Sequence, residues 1–217
     1  MNSPPSAPAA GARFFVVEGI EGSGKSTLLA ALAEHLRNDG GDALVTREPG
    51  GTPVGDAVRA VFLDRSAAIS PLTEAFLINA ARAQLVSGAI RPALEAGRLV
   101  LCDRYVDSTL AYQGYGRGLD LEFLRDLCDA ATGGLEPDLT LVVDVPVEVS
   151  RARMRSRERA ADRLEIEDDP FHERVRRGYL ELAKRPLHYV LDGTLPPERV
   201  LEGALRALRR LLASRET

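Results

Sequence analysis

With 217 residues, 45% apolar and 28% charged, the chain can bury one sizeable α/β core but not two. A formal net charge of −4 argues against a nucleic-acid partner, and no apolar run approaches membrane-spanning length. Cys102 and Cys128 offer neither a disulfide framework nor a metal spacing, which points to a reducing, cytoplasmic setting.

Residues 1–12 are Ser, Pro, Ala, Gly and Asn without an apolar signal core, and read as a disordered tail. Beyond them, short apolar runs alternate with longer helical patterns, the mark of βαβ units in a parallel sheet. Strands are expected near 13–18, 43–46, 98–102, 139–144 and 188–192. Their unbroken apolar character, as in Leu99-Val100-Leu101-Cys102, suits strands covered on both faces. Ligands of such sheets bind beyond the carboxyl ends of the strands, so the residues that follow each strand are the candidates.

The first strand leads into Gly19-Ile20-Glu21-Gly22-Ser23-Gly24-Lys25-Ser26-Thr27 and then into the helix-forming run Leu28-Leu29-Ala30-Ala31-Leu32. Glycine-rich turns also join strands to helices for plain packing. Lys-Ser at the end of G-x-x-x-x-G-K-S points instead to a phosphate loop. Its backbone N–H groups form an anion nest at a helix start, Lys25 reaches the β and γ phosphates, and Ser26 can ligate Mg²⁺. A nucleoside triphosphate is therefore the implied ligand.

The second strand is followed by Thr46-Arg47-Glu48-Pro49-Gly50-Gly51-Thr52, a stiff polar turn in which Arg47 could hold a phosphate. In the helix expected over Leu72–Arg82, Ile78 and Arg82 share a face. Arg82 needs a partner there, either a structural carboxylate or a substrate, and the spacing does not decide which. After the third strand come Asp103, suited to the acidic side of a Mg²⁺–phosphate site, and Arg104, suited to bidentate phosphate binding. Ser108, Thr109, Tyr112 and Gln113 follow. They could read a base or sugar edge, or form only a polar helix start. The basic run Arg151–Arg159 is either a solvated face or a lid whose arginines cover the triphosphate and exclude water. His35, His172 and His188 show no ligand spacing, and no Asn-Lys-x-Asp motif supports a GTPase.

The phosphate loop, Thr46–Thr52, Ala80-Ala81-Arg82-Ala83-Gln84, Asp103-Arg104-Tyr105 with Ala111-Tyr112-Gln113-Gly114, Pro137-Asp138-Leu139-Thr140 and Asp162-Arg163-Leu164-Glu165 occur in one order. In that order they resemble the bacterial thymidylate kinases over about residues 13–195. The resemblance implies a three-layer P-loop nucleoside monophosphate kinase fold, with a five-stranded parallel sheet and helices on both faces. It implies one domain over 13–214 with an Arg-rich lid at about 151–169. It further implies transfer of the ATP γ-phosphoryl to dTMP with Mg²⁺, in dTTP synthesis, by a cytoplasmic homodimer that uses neither nucleic acid nor membrane.

By position, the resemblance assigns Lys25 and Ser26 to ATP phosphates and Mg²⁺, Asp103 to the metal site, and Glu21 to the neighbourhood of the substrate sugar. Arg104 falls on the dTMP phosphate and Arg82 on the thymine edge, while Thr109, Tyr112 and Gln113 line base and deoxyribose. Because Gly22 and Ser23 carry no charge, the catalytic arginine is expected from the lid, with Arg153, Arg157 and Arg159 as candidates. One position departs from the family pattern: relatives commonly carry a base-stacking Phe where this chain has Ile78. Phe76 lies about 200° away on an ideal helix and does not replace it. A kinase for another monophosphate and a nucleotide-dependent switch are the rival readings.

Overall fold

The computed structural model describes residues 13–156 and 161–213. β1 (Arg13–Glu18) leads through the glycine-rich loop into α1 (Lys25–Asn38), and β2 (Ala43–Arg47) follows. Next come α2 (Pro53–Leu63) and α3 (Pro71–Leu85), which continues through a π-helical stretch at Val86–Ile90 into α4 (Arg91–Glu95). After β3 (Leu99–Asp103), the short α5 (Val106–Thr109) runs into a second π-helical stretch, Leu110–Gly116, and then α6 (Leu121–Thr132). β4 (Leu139–Asp144), α7 (Val147–Arg155), α8 (Asp169–Leu182), β5 (His188–Asp192) and α9 (Pro197–Ala213) complete the order.

The strands form one five-stranded sheet in the order β2-β3-β1-β4-β5, parallel throughout. The alternation of side chains along β1 explains how both faces are covered. Phe15 and Val17 join Leu28, Leu32, Ala204 and Leu208 in a cluster with α1 and α9. Phe14 and Val16 join Leu85, Val86 and Ile90 on the opposite face. A third cluster, which includes Phe62, Ile78, Leu110, Phe171 and Val175, lies beyond the carboxyl edge under the functional residues. Full burial of each large apolar side chain contributes about 1.5–3 kcal/mol, so the sheet is a rigid base for what its edge carries.

Two expected boundaries shift. β2 runs on to Arg47 and β3 starts at Leu99 and includes Asp103, because the ladder continues through the pairs Arg47↔Asp103 and Val17↔Asp103. Both residues therefore project from strand ends and not from loops. Among the described residues no helix is long and apolar enough to cross a membrane.

Four helices start with a side-chain cap: Thr52 for α2, Ser70 for α3, Asp120 for α6 and Asp168 for α8. α1 starts at Gly24 with φ 104° and no side-chain cap. Its first N–H groups are thus left to the loop.

Glu18 closes β1 and is fully buried. Its carboxyl accepts hydrogen bonds from the Tyr105 and Ser108 amides at 2.8 and 3.2 Å, from Ser108 Oγ at 2.6 Å and from the Tyr179 hydroxyl at 3.1 Å. One acid thereby ties the start of α5 to α8, whose Tyr179 lies 161 residues beyond Glu18. Burial, reinforced by the Asp107 charge, pushes its pKa up to about 7 against the opposing pull of Arg104. The native state binds this proton more tightly than the unfolded chain does. Its contribution to stability is therefore full below about pH 4.5 and is lost as pH rises through about 7. Carboxyl-carbon NMR of the native protein should show Glu18 titrating near neutrality, and the Glu18→Gln variant should lose that part of the pH dependence of unfolding. An ordinary carboxylate midpoint would contradict the assignment.

Candidate active site

The phosphate loop needs its glycines for space as well as for dihedral angle. Gly19 (φ 139°) and Gly22 (φ 70°) lie in the left-handed region. A Cβ at Gly19 would sit 2.4 Å from the Val143 carbonyl oxygen, and one at Gly22 would sit 2.7 Å from that of Ser150. The loop ends in Lys25, which is buried and donates to the Ile20 carbonyl at 2.8 Å. Burial, together with the nearby Arg104 charge, lowers the Lys25 pKa to about 8. Ser26 Oγ donates to Asp103 Oδ2 at 3.2 Å. The other carboxylate oxygen, Oδ1, is buried and takes no hydrogen bond. A hydroxyl beside an unengaged, inward carboxylate oxygen is a donor set of the hard type that Mg²⁺ takes.

Across from this loop stands Arg104. Its backbone has φ 73° and its amide donates to the Val17 carbonyl at 3.0 Å. A non-glycine residue in this region carries about 1–3 kcal/mol of strain. The guanidinium sits within a ring of acceptors. Nη1 meets Tyr179 Oη at 2.8 Å and Ser108 Oγ at 3.2 Å; Nη2 meets Glu21 Oε1 at 2.8 Å and Tyr112 Oη at 3.2 Å. Glu21 also accepts from the Tyr112 hydroxyl at 2.5 Å. Burial opposes ionisation of Glu21, but the Arg104 and Lys25 charges outweigh it and hold its pKa below the ordinary value.

These groups line a cavity of about 170 Å³. Of the residues expected from sequence, Glu21, Lys25, Ser26, Arg47, Ile78, Asp103, Arg104, Ser108, Tyr112 and Gln113 border it, together with Gly22. Arg59, whose Nη1 donates to the Pro49 carbonyl at 3.0 Å, adds a cation that no motif pointed to. Burial, with the charges of Arg47 and Arg104, pushes the Arg59 pKa down against the opposing pull of Asp162 and Asp103. Phe62, Asp162 and Glu165 also border the cavity and were missed. Tyr179 was missed as well. The spacing of Phe171, Val175, Tyr179 and Leu182 marks a buried helix face, but it does not say where a hydroxyl ends up.

Two residues expected at the base pocket lie behind its wall. Arg82 does not border the cavity. It is 1% exposed, and its donors go to Glu48 Oε2, Asn79 Oδ1, Thr109 Oγ1 and the Tyr105 carbonyl at 2.8–3.0 Å, leaving no direct reading of a base edge in this arrangement. A buried guanidinium takes the nearest buried carboxylate, and Glu48 supplies it. Thr109 is fully buried behind the wall as the acceptor of one of those bonds.

The lid candidates divide. Arg153, on α7, donates to the Gly22 and Ser23 carbonyls at 3.3 and 3.2 Å and to the Gly193 carbonyl at 2.8 Å. It therefore clamps the outer side of the phosphate loop and borders a second cavity of about 300 Å³ with Gly24, Thr27, Leu195 and Pro197, instead of reaching over the first. Ser23, Gly24 and Thr27 lie on that side, and Ile20 is core. Arg157 and Arg159 lie outside the described residues. The segment after them is anchored: Arg163 donates Nε to the Phe62 carbonyl at 3.0 Å and Nη1 to Glu74, which also accepts from Arg117 and Gln113.

The family model described as thymidylate kinase matches residues 17–203. A thymidylate kinase from Desulfovibrio desulfuricans is 50% identical over 211 residues, covering 93% of this chain and 97% of that one. One from Thermomicrobium roseum is 55% identical over 191 residues, covering 87% and 90%. The crystal structure of thymidylate kinase from Ehrlichia chaffeensis superposes with a TM-score of 0.74 at 32% identity, covering 91% of this chain and 99% of that one. The family model over residues 17–203, relatives 50–55% identical over about nine-tenths of the chain, and a phosphate loop facing an arginine-lined cavity together place the chain in the thymidylate kinase family.

Proposed function

We propose that the cavity holds dTMP, that ATP lies along the phosphate loop, and that the γ-phosphoryl passes in line between them to give dTDP and ADP. The observation that carries this reading is the siting of Arg104, a half-buried cation within the same cavity as Lys25, Ser26 and Asp103. Arg47 and Arg59 border that cavity too, and three guanidinium groups around one cavity suit a dianionic phosphate monoester. Glu21 and Tyr112 hold the Arg104 fork in orientation, so little rearrangement is needed when the phosphate arrives.

Gln113 suits the base. Its amide nitrogen donates to Glu74 at 2.9 Å, and since a carboxylate only accepts, this fixes which end faces the other way. The remaining oxygen is buried without a partner and can accept the imide N–H of thymine, which cytosine lacks. Arg82 and Thr109 act behind this wall as positioning residues, through Glu48 and Tyr105. The adenosine of ATP fits the second cavity, where the flat guanidinium of Arg153 forms one side. Ser26 and Asp103 are the residues to hold Mg²⁺, which when bound neutralises charge on the donor phosphates. Arg157 and Arg159 are the remaining candidates for the lid arginine.

The homodimer has a face to use. Leu72, Phe76 and Phe123 are 44, 49 and 40% exposed on neighbouring α3 and α6, with the two phenyl rings edge to face at 6.5 Å. A second copy of this chain would cover them. Two free, buried cysteines support work in a reducing compartment.

ADP release from ATP and Mg²⁺ should depend strongly on dTMP, weakly on dCMP or dGMP, and scarcely occur without acceptor. Equal turnover without acceptor would favour the switch reading. Lys25→Ala should lower kcat about a hundredfold or more, the scale of losing one preorganised charge donor. Arg104→Ala should raise the KM for dTMP far more than that for ATP, and equal changes would remove its assigned role. Phe76→Glu should shift the molar mass in light scattering from dimer to monomer, whereas an unchanged mass would place the interface elsewhere.

A further inference from the structure

His172, on α8, is fully buried, and neither of its ring nitrogens has a hydrogen-bond partner. Buried polar groups are rarely left so, and each exception carries a cost. Charged groups approach the ring from the phosphate loop, from α7 and from α8 itself. Glu21 comes from the loop, its Oε2 3.7 Å from His172 Nδ1. Arg151 comes from α7 and Asp169 from the start of α8, and the Leu164 backbone lies alongside. Arg151 and Asp169 bind each other at 2.8 Å, so their charges largely cancel at the ring. Burial outweighs the pull of Glu21 and holds the His172 pKa below its ordinary value, so the imidazole is neutral at neutral pH.

Glu21 is committed to Arg104, and Arg104 has no Nη–H to spare. Nη1 serves Tyr179 and Ser108, and Nη2 serves Glu21 and Tyr112. A phosphate that takes this fork must therefore displace acceptors. Of the four, Glu21 is the charged one, and a dianion repels it. A carboxylate only 11% exposed is too enclosed to be left to water. A shift of about 1 Å brings Oε2 within hydrogen-bond range of His172 Nδ1, a nitrogen with no other partner.

We infer that His172 is a positioning residue for acceptor binding: as the phosphate takes the Arg104 fork, the imidazole takes a proton from solvent and holds Glu21 as the imidazolium. The inference rests on the reading of dTMP as acceptor. Glu21 exchanges one cationic partner for another and stays ionised throughout. One proton is taken up with each acceptor phosphate, and α8 gains a hydrogen bond to the phosphate loop in the same step.

The test begins with dTMP-dependent ADP release by the wild-type protein. Its absence would remove the acceptor assignment itself, separately from the role of His172. Given activity, nitrogen NMR of the imidazole rings reads the charge state directly, at about pH 7.5, where a phosphate monoester is already dianionic. His172 should be neutral in the free protein and charged in the dTMP complex. It should stay neutral with thymidine, which lacks the phosphate. A ring that remains neutral under saturating dTMP, or one that thymidine charges equally, overturns the inference. Calorimetry of dTMP binding in buffers of different ionisation enthalpy gives the proton count. The wild type should take up about one proton more than His172→Gln, a comparison in which Lys25 and Glu18, which also titrate near neutrality, are common to both. Equal uptake in the two proteins overturns the inference as well. His172→Gln should also raise the KM for dTMP about tenfold, the scale of one charge-assisted hydrogen bond, and leave the KM for ATP nearly unchanged. Should the variant fail to fold, the wild-type NMR decides.

Discussion

The rest of the site depends on one partly buried cation, the Arg104 guanidinium. It is kept in the interior by four acceptors drawn from three parts of the chain: Glu21 in the phosphate loop, Ser108 and Tyr112 in the helical segment after β3, and Tyr179 in α8. Removing an isolated charge from water is prohibitive, so every one of those groups must be in place before the arginine can be. The left-handed backbone of Arg104 fits the same logic. That strain is tolerated because the amide is tied to β1 and the side chain is determined from all sides.

Glu18 and Glu21 show how neighbouring acids acquire different characters. Glu21 faces Arg104 and Lys25 and stays ionised. Glu18 lies one layer deeper, where burial outweighs its hydrogen bonds, and its proton is held to near neutrality. Glu21 thereby stays an ionised partner of the guanidinium, while Glu18 braces the elements behind it.

Contiguous features were legible in the sequence. The phosphate loop occupies nine successive residues, Gly19–Thr27, and its chemistry is local, so pattern alone identifies it. The strand order of charged ends, with Asp103 and Arg104 after an apolar run, was equally readable. What the sequence hid was pairing across distance. Arg82 on an apolar helix face required a partner, but that the partner is Glu48, 34 residues earlier, depends on how β2 and α3 meet. Arg59 and Phe62 sit in an unremarked amphipathic helix and matter only because α2 borders the cavity. Tyr179 belongs to a readable buried stripe whose polar tip acquires meaning from Glu18, 161 residues away.

α1 begins without the side-chain cap that starts α2, α3, α6 and α8. Where Thr52, Ser70, Asp120 and Asp168 each bend a side chain over the start of a helix, Gly24 leaves the first turn of α1 without one. The helix that packs most directly on the central strand is therefore completed from outside, by whichever phosphate settles in the loop. Its local opening is then set by the concentration of nucleotide around the protein. In a nucleotide-poor solution the phosphate loop and the first turn of α1 exchange their amide hydrogens faster, and charging the solution with nucleotide slows them.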